Sequence, residues 1–191
     1  QDVVYIYFSQ DPRLKQYGVK DETGLINVLN MMNTKYIIHG DVTQPEVQKN
    51  PTALGSAWFT SAIKWTENAN DEILAINSTP INNTVILRKD LVADKNLKIA
   101  ADSTATIQLV DYSPMKMTYK SKSNTDQIAV FSEIYYPHGW TATIDGKEVP
   151  IEKANYVLRA VPVSKGEHTI ILEFKPQVIA TGNMITIIAN I

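Results

Sequence analysis

Aromatic and hydrogen-bonding side chains are concentrated in one part of the sequence, in and around a stretch typical of a strand, a loop and a second strand. The candidate ligand-binding residues are Tyr136, His138, Trp140, Asn155, Tyr156 and Arg159, with Tyr135 beside them. The C–H faces of a sugar ring stack on aromatic rings, and its hydroxyls exchange hydrogen bonds with planar polar groups. These residue types therefore predict a carbohydrate-binding surface.

The same residues also fit a purely structural interpretation. In that case Trp140 plugs the core of a β-sandwich, a tyrosine hydroxyl bonds between strands, and Arg159 pairs with a carboxylate such as Asp145. Both interpretations remain open from the sequence.

Other kinds of chemistry find little support in the sequence. The glycines form neither G-x-G-x-x-G nor a P-loop, there is no G-x-S-x-G, and there is no cysteine. His39, His138 and His168 show no metal-ligand spacing, and His168, beside Glu167, is interpreted as a surface or satisfied core residue. No catalytic residue, metal or cofactor is predicted, and the chain itself is not expected to be an enzyme.

The charge balance argues against nucleic acid as a partner. Lys and Arg number 18 against 20 Asp and Glu, and the basic residues are scattered along the chain. Without a basic patch there is no field to attract a phosphate backbone.

A β-meander over residues 131–176 is expected to position the candidate residues. Trp140, Ala142 and Ile144 alternate with polar residues, which is the period of a half-buried strand. Asp145-Gly146 is typical of a type I′ turn, after which Val149 and Ile151 return antiparallel. A strand over residues 156–163, a turn at 165–166 and a last strand ending before Pro176 complete the meander.

The preceding part of the chain mixes helices and strands. The patterns predict a helix over residues 25–32, a strand over 35–39, a loop over 41–51, β structure over 57–65 and an Asn-capped helix over 70–77. From residue 83 onwards they predict strands at 84–87, 105–112, 115–120 and 127–134. The predicted fold is α+β: a small α/β lobe, residues 1–70, followed by an antiparallel β-sandwich, jelly-roll or Ig-like, residues 71–176.

Residues 177–191 form an apolar tail diluted by polar residues. A bilayer-spanning helix needs roughly 18 to 20 apolar residues, and this tail is shorter. It is interpreted either as a terminal core helix or strand, or as the first turns of a transmembrane helix.

Several motifs, in order, resemble the C-terminal extracytoplasmic segment of the bacterial YfhO family of polytopic membrane proteins. The family's Y-P-G-W-x-A-x-I/V-D-G run is matched by Tyr136, Pro137, Gly139, Trp140, Ala142, Ile144, Asp145 and Gly146. Its A-N-Y-x-x-R-x-V-x-V-P-x-G-x-H run is matched by Ala154, Asn155, Tyr156, Arg159, Val161, Val163, Gly166 and His168, and its F-x-Y-x-P by Phe174 and Pro176. Residues 29–38 and 50–59 are similar to its L-L-N-V-K-Y-I-I and N-P-x-A-L-P-R-A-W-F. The chain departs from these patterns by inserting His138 and by Gly55-Ser56 in place of Pro-Arg.

The resemblance implies a function more specific than the residues do. YfhO-like proteins resemble GT-C-type glycosyltransferases, with many membrane helices, a lipid-linked sugar donor and catalytic carboxylates in a membrane part that is not in this chain. The resemblance also implies that this chain is a domain on the periplasmic or extracellular side of the cell membrane. Its partner would be the membrane domain of the same polypeptide. The domain would position a cell-envelope glycan acceptor or lipid-linked sugar. The alternative is a structural cap or protein-interaction β-sandwich with no ligand of its own.

Overall fold

The computed structural model describes residues 3–5, 23–41, 43–92 and 94–176, together with positions 182 and 186. Most of the predicted apolar tail, residues 177–191, lies outside this range. Both interpretations of the tail therefore stay predictions.

Two helices lie in the first half of the described chain. Helix α1, Thr23–Met31, is closed two residues after its end by Asn33, whose φ of 56° lies in the left-handed region. Helix α2, Ala69–Ala75, is capped by Asn68, whose side chain accepts a hydrogen bond from the Asp71 N–H at 3.0 Å. The predicted second helix is thus confirmed, but its cap is Asn68 and its end lies two residues earlier.

A three-stranded sheet accompanies α1 and forms the small α/β lobe. Its strands, in spatial order, are β1, Val3–Tyr5, β2, Tyr36–Asp41, and β3, Gln44–Lys49, with β1 parallel and β3 antiparallel to β2. The prediction of a loop over residues 41–51 was wrong, because β3 occupies it. All six side chains of β3 are exposed, so this edge strand has no apolar alternation, and Pro45 is tolerated at its start.

A six-stranded sheet forms the middle layer of the molecule. Its spatial order is β4, Ala57–Thr60; β9, Gln127–Ile134; β13, Leu158–Val163; β12, Glu152–Ala154; β6, Thr84–Arg88; and β5, Ala62–Thr66. All neighbours are antiparallel except β5 and β6. Strands β4 and β5, which precede residue 71, form its two edges.

A five-stranded antiparallel sheet packs against the middle layer. Its spatial order is β11, Lys147–Val149; β10, Trp140–Ile144; β14, Gly166–Phe174; β8, Lys116–Ser123; and β7, Thr106–Ser113. Asp145 and Gly146, with φ of 51° and 80°, form the predicted turn between β10 and β11. Strand β11 stops at Val149, before Pro150, so Ile151 is not part of the returning strand.

Two apolar clusters hold the layers together. One lies between the two large sheets and includes Tyr119, Phe131 and Leu172; the other lies between the six-stranded sheet and the helices and includes Ile76 and Leu87. The six-stranded sheet is therefore buried on both faces, which explains the continuous apolar run of β9. The predicted fold class, an α/β lobe followed by an antiparallel β-sandwich, is confirmed.

Candidate functional site

The loop of residues 135–139 connects the six-stranded sheet to the five-stranded sheet, and backbone hydrogen bonds hold it at both ends. The Tyr135 N–H donates to the Val157 carbonyl at 2.7 Å, and the Lys175 N–H donates to the Gly139 carbonyl at 2.6 Å. Gly139 has a φ of 80°, and a Cβ there would lie 2.8 Å from Cε2 of Phe174. Only glycine fits this close approach, so the loop has a fixed path.

A groove of about 220 Å³ opens beside this loop, at the β10–β11 edge of the sandwich. Its walls include Tyr135, Tyr136, Trp140, Thr141, Glu148 and Ile151. An aromatic surface and an exposed carboxylate thus meet in a space suited to one small polar ring. We call this space the Tyr136–Trp140 groove.

Trp140 is half-buried and held in place by two neighbours. The Cζ of Arg159 lies 3.9 Å from the centroid of its ring, and the Phe174 ring centroid lies 5.3 Å away at a 45° tilt. Arg159 is only 4% exposed, and its Nε–H donates to the Ile134 carbonyl at 3.0 Å. Burial lowers the pKa of Arg159, and the nearby charge of Glu133 opposes this. Arg159 therefore acts from behind the groove, by fixing the plane of Trp140.

Tyr136 is the most accessible of the candidate residues that line the groove. Its side chain is 53% exposed, and its ring meets that of the exposed His138 edge to face, with centroids 5.5 Å apart. The structure thus brings Tyr136 and Trp140 to one groove, with His138 against the outer tyrosine.

Asn155 and Tyr156 lie elsewhere and hold the turn between β12 and β13. Asn155 is fully buried, and its Oδ1 accepts a hydrogen bond from the Ile86 N–H at 2.8 Å. The Tyr156 N–H donates to Oε1 of the buried Glu72 at 2.8 Å, and the Tyr156 ring packs on the helix-side core beneath the Lys153 ammonium. Neither residue lines the groove.

The strand predicted over residues 156–163 starts two residues later, at Leu158. Asn155 and Tyr156 have φ of 46° and 70°, which a strand does not allow. Asparagine tolerates this conformation, and the Glu72 carboxylate satisfies the N–H that the turn leaves without a strand partner.

The suggested pairing of Arg159 with Asp145 is wrong, because Asp145 is bound to His168. Oδ2 of Asp145 lies 2.7 Å from Nδ1 of His168, and its Oδ1 accepts from the Thr169 N–H at 2.8 Å. These bonds hold the pKa of Asp145 below its ordinary value, and the carboxylate raises the pKa of His168. Both ring nitrogens of His168 thus have partners, and the side chain joins the turn at Asp145 to the turn at Lys165.

Ser164 completes a Ser–His–Asp arrangement whose protonation does not suit catalysis. Its Oγ lies 3.3 Å from Nε2 of His168, but the Lys165 carbonyl lies equally close to that nitrogen. A carbonyl requires a proton on Nε2, while the Asp145 carboxylate requires one on Nδ1. Both contacts favour the imidazolium, which cannot take a proton from Ser164.

Sequence reasoning missed Glu148, the carboxylate of the groove. It lies on the returning strand of the hairpin, opposite Thr143. The Asp145-Gly146 turn fixes that register. Counting outward from the turn along both strands could therefore have paired Glu148 with Thr143 of β10.

The fold and groove define an α+β protein with a two-sheet sandwich and a helical layer. The family model described as bacterial membrane protein YfhO matches residues 91–186, just over half of the chain, and the chain therefore belongs to this family. The match covers every residue of the groove. Comparison with curated proteins and with solved structures found no match.

The described part of the chain contains no helix that is both long and apolar enough to cross a membrane. It also contains no group of three or more His, Cys, Asp or Glu side chains that could hold a metal ion.

Proposed function

We propose that this chain forms an extracytoplasmic domain of a polytopic, glycosyltransferase-like membrane protein, and that the Tyr136–Trp140 groove holds one sugar unit of a cell-envelope glycan acceptor. Membership of a bacterial membrane protein family supports the membrane context. The groove itself, with three aromatic residues and a carboxylate around about 220 Å³, carries the binding part of the proposal.

The chemistry of the groove matches what a sugar ring offers. The exposed ring of Tyr136 gives a face for the sugar C–H groups, and Trp140 adds a second aromatic wall whose plane Arg159 fixes. The Glu148 carboxylate accepts hydrogen bonds from hydroxyls. A wall that is ordered before binding lowers the entropy cost of holding the ligand.

The proposal assigns the domain a binding role and no chemical step. It holds the acceptor, while bond making belongs to the membrane part of the same polypeptide. The apolar, uncharged sequence after Pro176 fits this membrane context.

A structural cap is the second candidate, and burial of Asn155 and Arg159 favours it. Asn155 is fully buried and Arg159 is 4% exposed, and each is hydrogen-bonded to the backbone, so both side chains belong to the fold whether or not a glycan binds. Under this alternative the groove stays empty, and the domain only covers its membrane partner.

A glycan-array screen with the 191-residue chain separates the two candidates. Any hit is titrated calorimetrically against the wild type and Tyr136→Ala, with Tyr112→Ala as the matched control. Tyr112 is also highly exposed, at 62%, but lies on β7 at the other edge of the same sheet.

Loss of one stacked aromatic ring is expected to weaken binding by about tenfold in Tyr136→Ala and to leave Tyr112→Ala unchanged. Equal weakening in both variants would contradict the groove as the binding site. Absence of binding to every envelope glycan would support the structural cap.

A further inference from the structure

Exposed apolar side chains in residues 94–176 of the sandwich are concentrated at one end. Four of the five exposed large hydrophobic side chains between residues 94 and 176 lie there: Tyr112, Met115, Ile134 and Tyr136. The fifth, Val110, lies at the bulge in the middle of β7. The end that carries the four is where β7, β9 and β14 finish and β8 and β10 begin. The register Lys116↔Glu173 and Trp140↔Phe174 brings these strand ends side by side. We call the set of Tyr112, Met115, Ile134 and Tyr136 the apolar end.

The opposite end of the sandwich has the reverse character. Its turns carry charged and amide side chains: Asp102, Asn124, Asp126, Asp145, Lys147, Lys165 and Glu167. They bond one another across turns, as in the contact between the Lys165 N–H and Oδ1 of Asp126 at 2.8 Å, and the Lys122–Glu167 ion pair at 2.8 Å. The molecule therefore has one polar and one apolar end along the strand direction.

The chain leaves the sandwich at the apolar end. The Phe174 N–H donates to the Met115 carbonyl at 2.8 Å, which ties the last strand to the tip of the β7–β8 hairpin. The sequence that follows Pro176, residues 177–191, contains no charged residue and is rich in isoleucine. The family to which the chain belongs is one of bacterial membrane proteins.

We propose that the apolar end rests on the lipid bilayer, with Tyr112, Met115 and Tyr136 in the interfacial region. Tyrosine is enriched at this depth because its ring is apolar and its hydroxyl stays hydrated. Lys116 and Lys175 lie at the same end, where their stems can cover apolar surface while the ammonium groups reach water.

Charge contributes little to this contact. Lys175 is paired with Glu173 at 2.6 Å, and Asp111 is exposed at the same hairpin as Lys116. The local charges nearly balance, so binding depends on buried apolar area more than on anionic lipid. If the proposed function holds, the Tyr136–Trp140 groove would open close to the headgroups, within reach of a lipid-linked sugar.

The absence of native cysteine allows a test by single labels on the whole 191-residue chain. Met115→Cys places an environment-sensitive fluorophore at the apolar end, and Lys147→Cys places the same probe just past the turn at the polar end. Both variants are reconstituted into vesicles of three parts phosphatidylcholine to one part phosphatidylglycerol, about 3:1, after circular dichroism has shown that they fold. Brominated lipids then report which label contacts acyl chains.

The label at position 115 is expected to shift to the blue and to be quenched by brominated lipid, while the label at 147 remains in water. Adding Tyr112→Ser to Met115→Cys is expected to reduce the quenching. Two unquenched labels would show that the domain is only tethered above the bilayer, and equal quenching of both would contradict the orientation. Either result overturns this inference and leaves the glycan titration untouched.

Discussion

The guanidinium of Arg159 covers the ring of Trp140 at 3.9 Å and thereby joins the two large sheets of the sandwich. Arg159 lies on β13 of the six-stranded sheet, whereas Trp140 opens β10 of the five-stranded sheet. The Nε–H of Arg159 donates to the Ile134 carbonyl, so the guanidinium is also held to β9. One buried side chain thus supports the fold and the wall of the groove together.

Arg159→Ala should destabilise the protein by about 2–4 kcal/mol, because it removes a buried stem, a cation–π contact and the partner of the Ile134 carbonyl. Arg159→Met retains most of the buried volume and should lose clearly less. Urea denaturation of both variants measures the difference. An alanine variant as stable as the wild type would contradict the stabilising role of Arg159.

Gly139→Ala should be more destabilising than Gly146→Ala, although both glycines have a φ of 80°. The shared backbone strain is about 1–2 kcal/mol. A Cβ at Gly146 meets nothing within 4 Å, whereas at Gly139 it would lie 2.8 Å from Phe174 Cε2 and 3.0 Å from Pro176 Cβ. Thermal unfolding of the two variants isolates the cost of this close approach. Equal losses of stability in the two variants would mean that the loop around Gly139 rearranges without a measurable cost.

The Asp145–His168 pair should make stability depend on pH in two directions. Asp145 raises the pKa of His168 in the folded protein. The contribution of His168 to stability is therefore complete below its pKa in the unfolded chain, and it is lost as the pH rises through its pKa in the folded protein. The pKa of Asp145 is lowered, so its contribution is lost as the pH falls through the folded pKa.

A titration of His168 followed by NMR checks this directly. Asp145→Asn should return the pKa of His168 towards its ordinary value, and Lys147→Gln, a neighbouring change of charge, should not. An unchanged His168 pKa in Asp145→Asn would show that the contact is not formed in solution.

Glu72→Gln should be at least as stable as the wild type at neutral pH, while Glu72→Leu should lose about 1–3 kcal/mol. Burial raises the pKa of Glu72 above 4.5, so the folded state disfavours the charged form, and the glutamine amide oxygen still accepts from the Tyr156 N–H. Leucine leaves that N–H without an acceptor.

The pH dependence of the difference in unfolding free energy between Glu72→Gln and the wild type tests independently whether the pKa of Glu72 is raised. Any advantage of glutamine should shrink as the pH falls through the folded pKa of Glu72, because the carboxyl is then neutral as well. An advantage that grows on acidification would contradict the burial argument.

The strands of the five-stranded sheet were predictable because each has one face in a core. Strand β8 alternates buried and accessible residues along its length, and the Asp145-Gly146 turn fixes the hairpin after it. Strand β3 escaped prediction because it is exposed throughout and its stability comes from backbone pairing with β2.

The candidate site was predictable in its aromatic residues and not in its geometry. Tyr136 and Trp140 stand four positions apart and flank one loop, so they reach the same groove. Asn155 and Arg159 have the same hydrogen-bonding character, but their burial is decided by long-range contacts with Ile86 and Ile134 that local sequence does not encode. Glu72 supports Tyr156 from 84 positions away.

The most direct test of the groove follows the indole N–H signals of the three tryptophans during a glycan titration of the ¹⁵N-labelled chain. Trp140→Phe identifies the Trp140 signal, and Trp58, whose Nε1–H is bound to the Ile81 carbonyl in the core, is the internal control. If the groove holds the sugar, the Trp140 signal should move saturably while that of Trp58 stays in place. Saturable binding that leaves Trp140 unmoved would place the glycan elsewhere and contradict the account.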